Sequence, residues 1–355
     1  MFCCERCFDD LELKAMIKSR QNKGGCDFCH SKGVWICNLD NDNDFREQFE
    51  KLIDMYDIVK DDEGEVLGDV APLEKQLCTN WDIFSELICD KNNVKNLIIH
   101  LLSDRYDTQP DFFDKDVAVV VGNKKSYFAQ YSMLGELKWE AFVDQLKYEN
   151  RFHTNVVNYK VLDEIIRQMR TPVKKGTLFF RSRISKDNKI CEKMGAPPKG
   201  VASEGRANSE GVSRLYLADS IDTALCEIRA NMHDCVTVAE FESRDNIELI
   251  DLTRLNTISP FRDIDINLLY VNRDYLKSLN NEVSKPMRRN DSRLDYLSTQ
   301  FVVDYIKSKG YDGVKYKSVM HNGGINYAMF DENKFKCKTR FLCHIKEVKY
   351  ERDEY

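Results

Sequence analysis

A cation, an aromatic ring and a carboxylate recur at near-equal intervals in GRANSEGVSRLYLADSIDTALCEIRA, residues 205–230, as Arg206, Tyr216 and Glu227. GRANSEG has the Gly, Asn and Ser content of a turn or open loop, where free backbone N–H groups can meet an anion, and Arg206 lies inside it. In RLYLA, Leu215 and Leu217 share the face that should pack inward, which leaves Tyr216 on the opposite side with Arg214 and Ala218. The helix that follows is capped by Asp219 or Ser220, and its apolar stripe is Ile221, Ala224, Leu225, Ile228 and Met232. Glu227 falls well off the centre of that stripe, so spacing alone reads it as solvated.

Further groups complete a set. TLFFRSRI alternates, with Leu178, Phe180, Ser182 and Ile184 on one face and Phe179, Arg181 and Arg183 on the other. KYKSVMHNGGINYAMF supplies Ser318 after a strand, then a glycine turn, then Asn326 on the next strand. An arginine binds phosphate through a fork of donors, a tyrosine stacks on a planar ring, and a carboxylate stabilises a developing cation. These needs coincide in a dinucleotide whose positively charged nicotinamide is a leaving group. Taken singly, each arginine reads better as a surface ion pair and Tyr216 as partly buried packing.

A second constellation lies at the other end of the chain. Cys4 and Cys7 form one C-x2-C pair and Cys26 and Cys29 another, with eighteen residues between them. Two such turns complete a tetrahedral zinc shell with no open position, so a closed structural zinc is expected, with Cys3, His30 and Cys37 as substitute ligands.

The elements that must position these groups divide at a change of period. Phe45, Phe49, Leu52, Ile53 and Tyr56 fall on one helical face. DDEGEVLGD reads as an acidic loop, and helical spacing returns in NWDIFSELI, VKNLIIHLL, LKWEAFVDQLKYENRF and VVNYKVLDEIIRQMR. Trp81, Phe84, Trp139 and Phe142 read as core. From Thr177 onward the pattern alternates, and SRLYLAD, CVTVAEFE, NIELIDL, YDGVKYKS, GINYAMF and RFLCHIKEVKY are strand candidates. The class expected is α+β: a Cys4 zinc-binding module at 1–42, a helical domain at 43–170, and a mixed or antiparallel-sheet domain at 171–355.

A net charge of −6 gives no overall positive field to hold nucleic acid or an anionic membrane. MFCCERCFDDLELK has no apolar signal core, and no run reaches the roughly 18 apolar residues of a span. A cytoplasmic protein with thiols and metal ligands rather than disulfides is expected.

Residues from about 176 to 331 closely resemble the RES domain, through LFFRSRI, GRANSEGVSRLYLADSIDTALCEIR, YLSTQFVVDYIKSKGYDGVKYKS and GGINYAMFD in that order. The resemblance implies a fold similar to ADP-ribosyltransferases and the activity of bacterial toxins that destroy NAD. It implies that Arg181 and Arg206 bind the diphosphate and adjacent ribose, and that Tyr216 contacts the nicotinamide end. Glu227 takes the family's acidic position, Ser318 its serine, and Asn326 a pocket position. Water or inorganic phosphate is the acceptor, with transfer of ADP-ribose to a macromolecule and a non-enzymatic zinc-containing sensor as the alternatives. The region ahead resembles a cysteine-bearing, HEPN-type helical region. The ribonuclease signature of that type, an Arg followed four to six residues later by His, is absent: Arg105 leads into YDTQPD and Arg151 into FHTNVV. A structural, regulatory or partner-binding role is therefore expected there, with an antitoxin or regulatory protein as partner.

Overall fold

The computed structural model describes residues 1–60, 64–89, 91–285 and 293–348. At the N-terminus, β1 (Phe2–Cys4), β2 (Lys23–Gly25) and β3 (Lys32–Asn38) form a small antiparallel sheet in the order β1-β3-β2, with α1 (Leu11–Ser19) between its first two strands. Asp10 caps α1 by accepting from Glu12 N–H and Leu13 N–H. α2 (Asn43–Ile53) starts at Asp42, whose side chain accepts from Phe45 N–H, and buries Phe45, Phe49, Leu52 and Ile53. Phe8, Phe45, Phe49 and Phe84 meet with ring centroids 5.4 to 6.3 Å apart, an aromatic core for this part of the chain.

β4 (Asp57–Ile58), β5 (Glu65–Pro72) and β6 (Asp116–Val121) form a second three-stranded sheet. Around it run α3 (Leu73–Trp81), α4 (Lys91–Leu101), α5 (Ser103–Thr108), α6 (Pro110–Asp114) and α7 (Lys124–Tyr131). The region read as helical thus carries a sheet as well. DVAVVV is a short apolar run buried on both faces, which period alone does not separate from a helix. Glu65, Val66 and Leu67, read within an acidic loop, pair with β6 as the start of β5, while 61–63 of that loop lie outside the described residues.

A second difference concerns NWDIFSELI. The helix stops at Trp81, and Asp82 takes the left-handed conformation with φ 47°. The backbone beyond is held by tertiary bonds: Asp9 N–H to Ile83 O at 2.7 Å and Ser85 N–H to Cys7 O at 3.0 Å. Ile83, Phe84 and Ile88 are still buried, so the apolar positions were core without being helix.

The chain forms two units that do not follow its order. Residues 1–136, 157–168 and 257–273 make one, and 137–156, 169–256 and 274–355 make the other. α8 (Trp139–Tyr148) therefore belongs to the second unit, where Phe142 packs edge-on against Phe301 at 5.6 Å, whereas α9 (Tyr159–Gln168) returns to the first. These limits differ from boundaries at 42/43 and 170/171, because long-range packing rather than chain position assigns α8. Trp81, Phe84, Trp139 and Phe142 are all buried.

The second unit is built on an eight-stranded sheet. Its strands are β7 (Arg170–Val173), β8 (Leu178–Ile184), β9 (Leu215–Ala218), β10 (Cys235–Ser243), β11 (Ile247–Asp251), β12 (Gly313–Lys317), β13 (Ile325–Met329) and β14 (Phe335–His344). Their order is β14-β10-β8-β9-β13-β12-β11-β7, antiparallel except for β11 beside β12, which makes it a mixed sheet. Positions 349–350 of the last strand candidate lie outside the described residues. α10 (Ile221–Glu227) follows β9. α11 (Ile266–Ser284) is divided between the two units after Arg273, and α12 (Leu297–Ser308) precedes β12. Phe179, Leu215, Leu217, Phe241, Leu249, Met329 and Phe335 fill one core, as the alternation in β8 and β9 requires. Among the described residues no helix is long and apolar enough to cross a membrane.

Candidate active site

The sheet opens between two of its central strands. β8 and β9 share one pair, Phe180 with Ala218, after which they part. Arg181 fills the break: its Nη1 donates to the Tyr216 carbonyl at 2.7 Å, a bond that a continuing ladder would have supplied from backbone. The opening is a cleft of about 440 Å³, within the usual range for small-molecule sites.

Five of the six residues singled out for this site line the cleft: Arg181, Arg206, Tyr216, Glu227 and Asn326. Ser318, the sixth, is not among the lining residues and joins the site through its bond to Glu227. The carboxylate Oε1 of Glu227 accepts from Ser318 Oγ at 2.6 Å and from Asn326 Nδ2 at 2.7 Å. α10 ends at Glu227, so its solvated position and its place on the cleft are the same feature. Ser220 supplies the cap of this helix through Thr223 N–H. The Ser318 hydroxyl also accepts from Met320 N–H at 3.2 Å and His321 N–H at 3.1 Å, a turn that fixes its direction. The His321 ring faces elsewhere, with Nδ1 2.9 Å from Thr223 Oγ1.

Arg181 is buried enough that desolvation, with Arg183 adding repulsion, brings its guanidinium down to about 10. Its Nε has no hydrogen-bond partner, so charge and a donor remain for an anion. Arg206 is half-buried and uses its two terminal nitrogens on the carbonyls of Val283, at 3.0 Å, and Lys285. Tyr216 donates from its hydroxyl to Asn208 Oδ1 at 2.5 Å, and burial pushes its phenol up to about 12. Arg214, expected beside Tyr216, is buried instead in a structural role: it bonds Asp304 at 3.0 Å and stacks over Phe330 at 4.8 Å.

Several residues of the site carried no sequence signal. Asn208 is buried and donates to Ser203 O and Ser209 O, while Gln300 Nε2 donates to Gly205 O at 2.9 Å and Asn208 O at 3.0 Å. Together they tie down the loop that carries Arg206. Gly205 lets that loop pass close to Tyr216, since a Cβ would sit a tight 3.0 Å from its hydroxyl. Ser182 lines the cleft, is 4% exposed, and has an unpartnered hydroxyl. Phe180, Tyr296 and Tyr316 add aromatic wall. Of these, Gly205 and Asn208, in GRAN, stood within a stretch already marked as polar loop.

The first unit brings the four expected thiols together. Cys4, Cys7, Cys26 and Cys29 have sulfurs all within 4.8 Å of one another. Cys4 lies 3.8 Å from Cys7 and 3.4 Å from Cys29, and Cys7 lies 3.4 Å from Cys26. A tetrahedron with zinc–sulfur bonds of about 2.3 Å has edges of about 3.8 Å, so the donor set fits a zinc ion. Cys3 and Cys37 are buried, with thiols directed at the carbonyls of Cys4 and Cys3, and neither they nor His30 are in the set.

The family model of the RES domain matches residues 182–353. The matched segment, just under half of the chain, is similar to the RES domain. The match begins one residue after Arg181 and takes in Arg206, Tyr216, Glu227, Ser318 and Asn326. Among solved structures, a chain in the crystal structure of the M. tuberculosis MbcT–MbcA toxin–antitoxin complex is similar at 12% identity and a TM-score of 0.32, over 52% of this chain and 91% of that one. That likeness is too low to bear on the arrangement described here. No curated protein matches the chain.

Proposed function

We propose that the RES domain breaks the bond between nicotinamide and ribose in NAD. The observation that carries this is the Glu227 carboxylate, held by Ser318 and Asn326 on the wall of a cleft that also contains Arg181 and Arg206. As the bond breaks, its electron pair passes to the pyridinium nitrogen and neutral nicotinamide leaves. The ribose carbon becomes cationic, and a fixed carboxylate lowers the energy of that charge. Arg181, with a free Nε donor, and Arg206 hold the diphosphate, so that binding energy remote from the bond fixes the geometry at it. Tyr216 lies against the nicotinamide end.

Water or inorganic phosphate then attacks the ribose carbon, giving ADP-ribose or its 1-phosphate. Ser318 acts by orienting Glu227: its hydroxyl proton is committed to that carboxylate, and no ring nitrogen is directed at it to make it a nucleophile. We assign the chain the role of a cytoplasmic toxin restrained by an antitoxin or regulatory protein, with the zinc-binding and helical part in a structural or regulatory role.

NAD labelled in its adenine, incubated with the full chain, separates the outcomes. Label is expected in free ADP-ribose, or in its 1-phosphate when phosphate is added. Label gathered on protein or nucleic acid, with no free ADP-ribose, would replace degradation by ADP-ribosyl transfer.

A further inference from the structure

Outside the zinc cluster, two cysteines of the first unit face each other. Cys78, in the last turns of α3, and Cys89, eleven positions on and just ahead of α4, have sulfurs 3.6 Å apart. Cys89 is exposed, whereas Cys78 is half-buried and its thiol is pushed up to about 12 by burial and by its neighbour. A disulfide has sulfurs about 2.05 Å apart, so closure needs a movement of about 1.5 Å in a turn outside regular secondary structure.

The segment between them is attached to the first zinc-binding turn. Cys89 N–H donates to Ser85 O at 3.1 Å. Ser85 in turn donates from its N–H to Cys7 O at 3.0 Å and from its hydroxyl to Arg6 O at 2.6 Å. Phe84 pairs with Phe8 in an isolated bridge, and Asp9 N–H reaches Ile83 O. The carbonyls of Arg6 and Cys7 are therefore held by the same segment that ends in Cys89.

We propose that Cys78 and Cys89 are a reversible disulfide site whose closure tightens the turn carrying Cys4 and Cys7. The exposed Cys89 thiolate attacks a small-molecule disulfide, forming a mixed disulfide and expelling one thiolate, which takes up a proton. The Cys78 thiolate then attacks the Cys89 sulfur, forms the protein disulfide and expels the second small thiolate, which is protonated in turn. Two electrons pass from the protein sulfurs to the small disulfide, which leaves as two thiols. With the segment clamped, the bonds from Ser85 to Cys7 and Arg6 open less often, and a metal ion bound at the four thiols leaves more slowly.

The test uses the full-length protein loaded with zinc and exposed to glutathione disulfide, quenched with an alkylating agent and mapped by peptide mass. A peptide linked through Cys78 and Cys89, short of two hydrogen atoms and restored by dithiothreitol, is expected. In Cys78→Ser, glutathione should remain on Cys89. In Cys89→Ser, Cys78 should remain reduced. Transfer of zinc to a coloured chelator should be slower in the oxidised wild type by roughly 5-fold or more, with no such change in either variant. Glutathione persisting on Cys89 in the wild type, or cross-links to other cysteines instead, would overturn the site. A closed disulfide with unchanged zinc loss would overturn its link to the metal turn.

Discussion

Replacing Arg181 by methionine should separate function from stability. Burial brings the guanidinium down to about 10, well below a free arginine, and at about 1.4 kcal/mol per tenfold that costs roughly 3 kcal/mol at neutral pH. Against this stands one charge-assisted bond to the Tyr216 carbonyl, worth about 1.5 to 3 kcal/mol. Methionine fills similar space, removes the unpartnered Nε and abolishes the burial cost. Arg181→Met should therefore lie within about 1.5 kcal/mol of wild type in denaturant unfolding, while NAD turnover falls about 100- to 1000-fold. The pH dependence has a definite sign. Because the folded value is the lower one, the unfolded chain holds more protons above about 10, and the burial cost, fully present below about 10, is relieved as pH rises through it. The wild type should thus gain on the variant between about pH 8 and about pH 10.5, by an amount urea titrations at the two values can read. A variant destabilised by much more than about 3 kcal/mol would show that Arg181 is a structural keystone, and one with full turnover would remove it from the site.

Two further outcomes follow from the same contacts. Ser318→Ala and Asn326→Leu each leave Glu227 Oε1 one donor, so kcat for NAD should fall by about 10- to 100-fold with little change in KM, and a double-mutant cycle should show the two losses coupled. The first unit should bind one zinc ion per chain, and Cys26→Ser should lower both the zinc content measured by metal analysis and the unfolding temperature; undiminished zinc in that variant would displace the four-thiol site.

What could be read from the chain was local. Paired cysteines two residues apart announce a metal turn because the geometry is set within four residues, and the alternation of Leu215, Tyr216 and Leu217 announced which side would face the core. Glu227 shows the limit. Its position off the apolar stripe of a helix expected to run on to Met232 looked merely solvated, and its partners lie about a hundred positions downstream, where no periodicity connects them. Ser182 and Gln300 were invisible for the same reason: a serine in a strand and a glutamine in a helix acquire meaning from the cleft they line or the loop they hold. The sheet of β4, β5 and β6 was missed because DVAVVV lacks alternation, and NWDIFSELI was misread because bonds to Cys7 and Asp9 overrode a helical pattern. The division of the chain into units was likewise not written in any linker, since α8 finds its partner in α12.

Release of free nicotinamide from NAD, followed over time with wild type and with Glu227→Ala, tests the central claim most directly. Steady release by the wild type and a loss of about 100-fold or more in the variant are predicted. Equal release by the two proteins, or none by the wild type, would contradict a carboxylate-stabilised cleavage in this cleft.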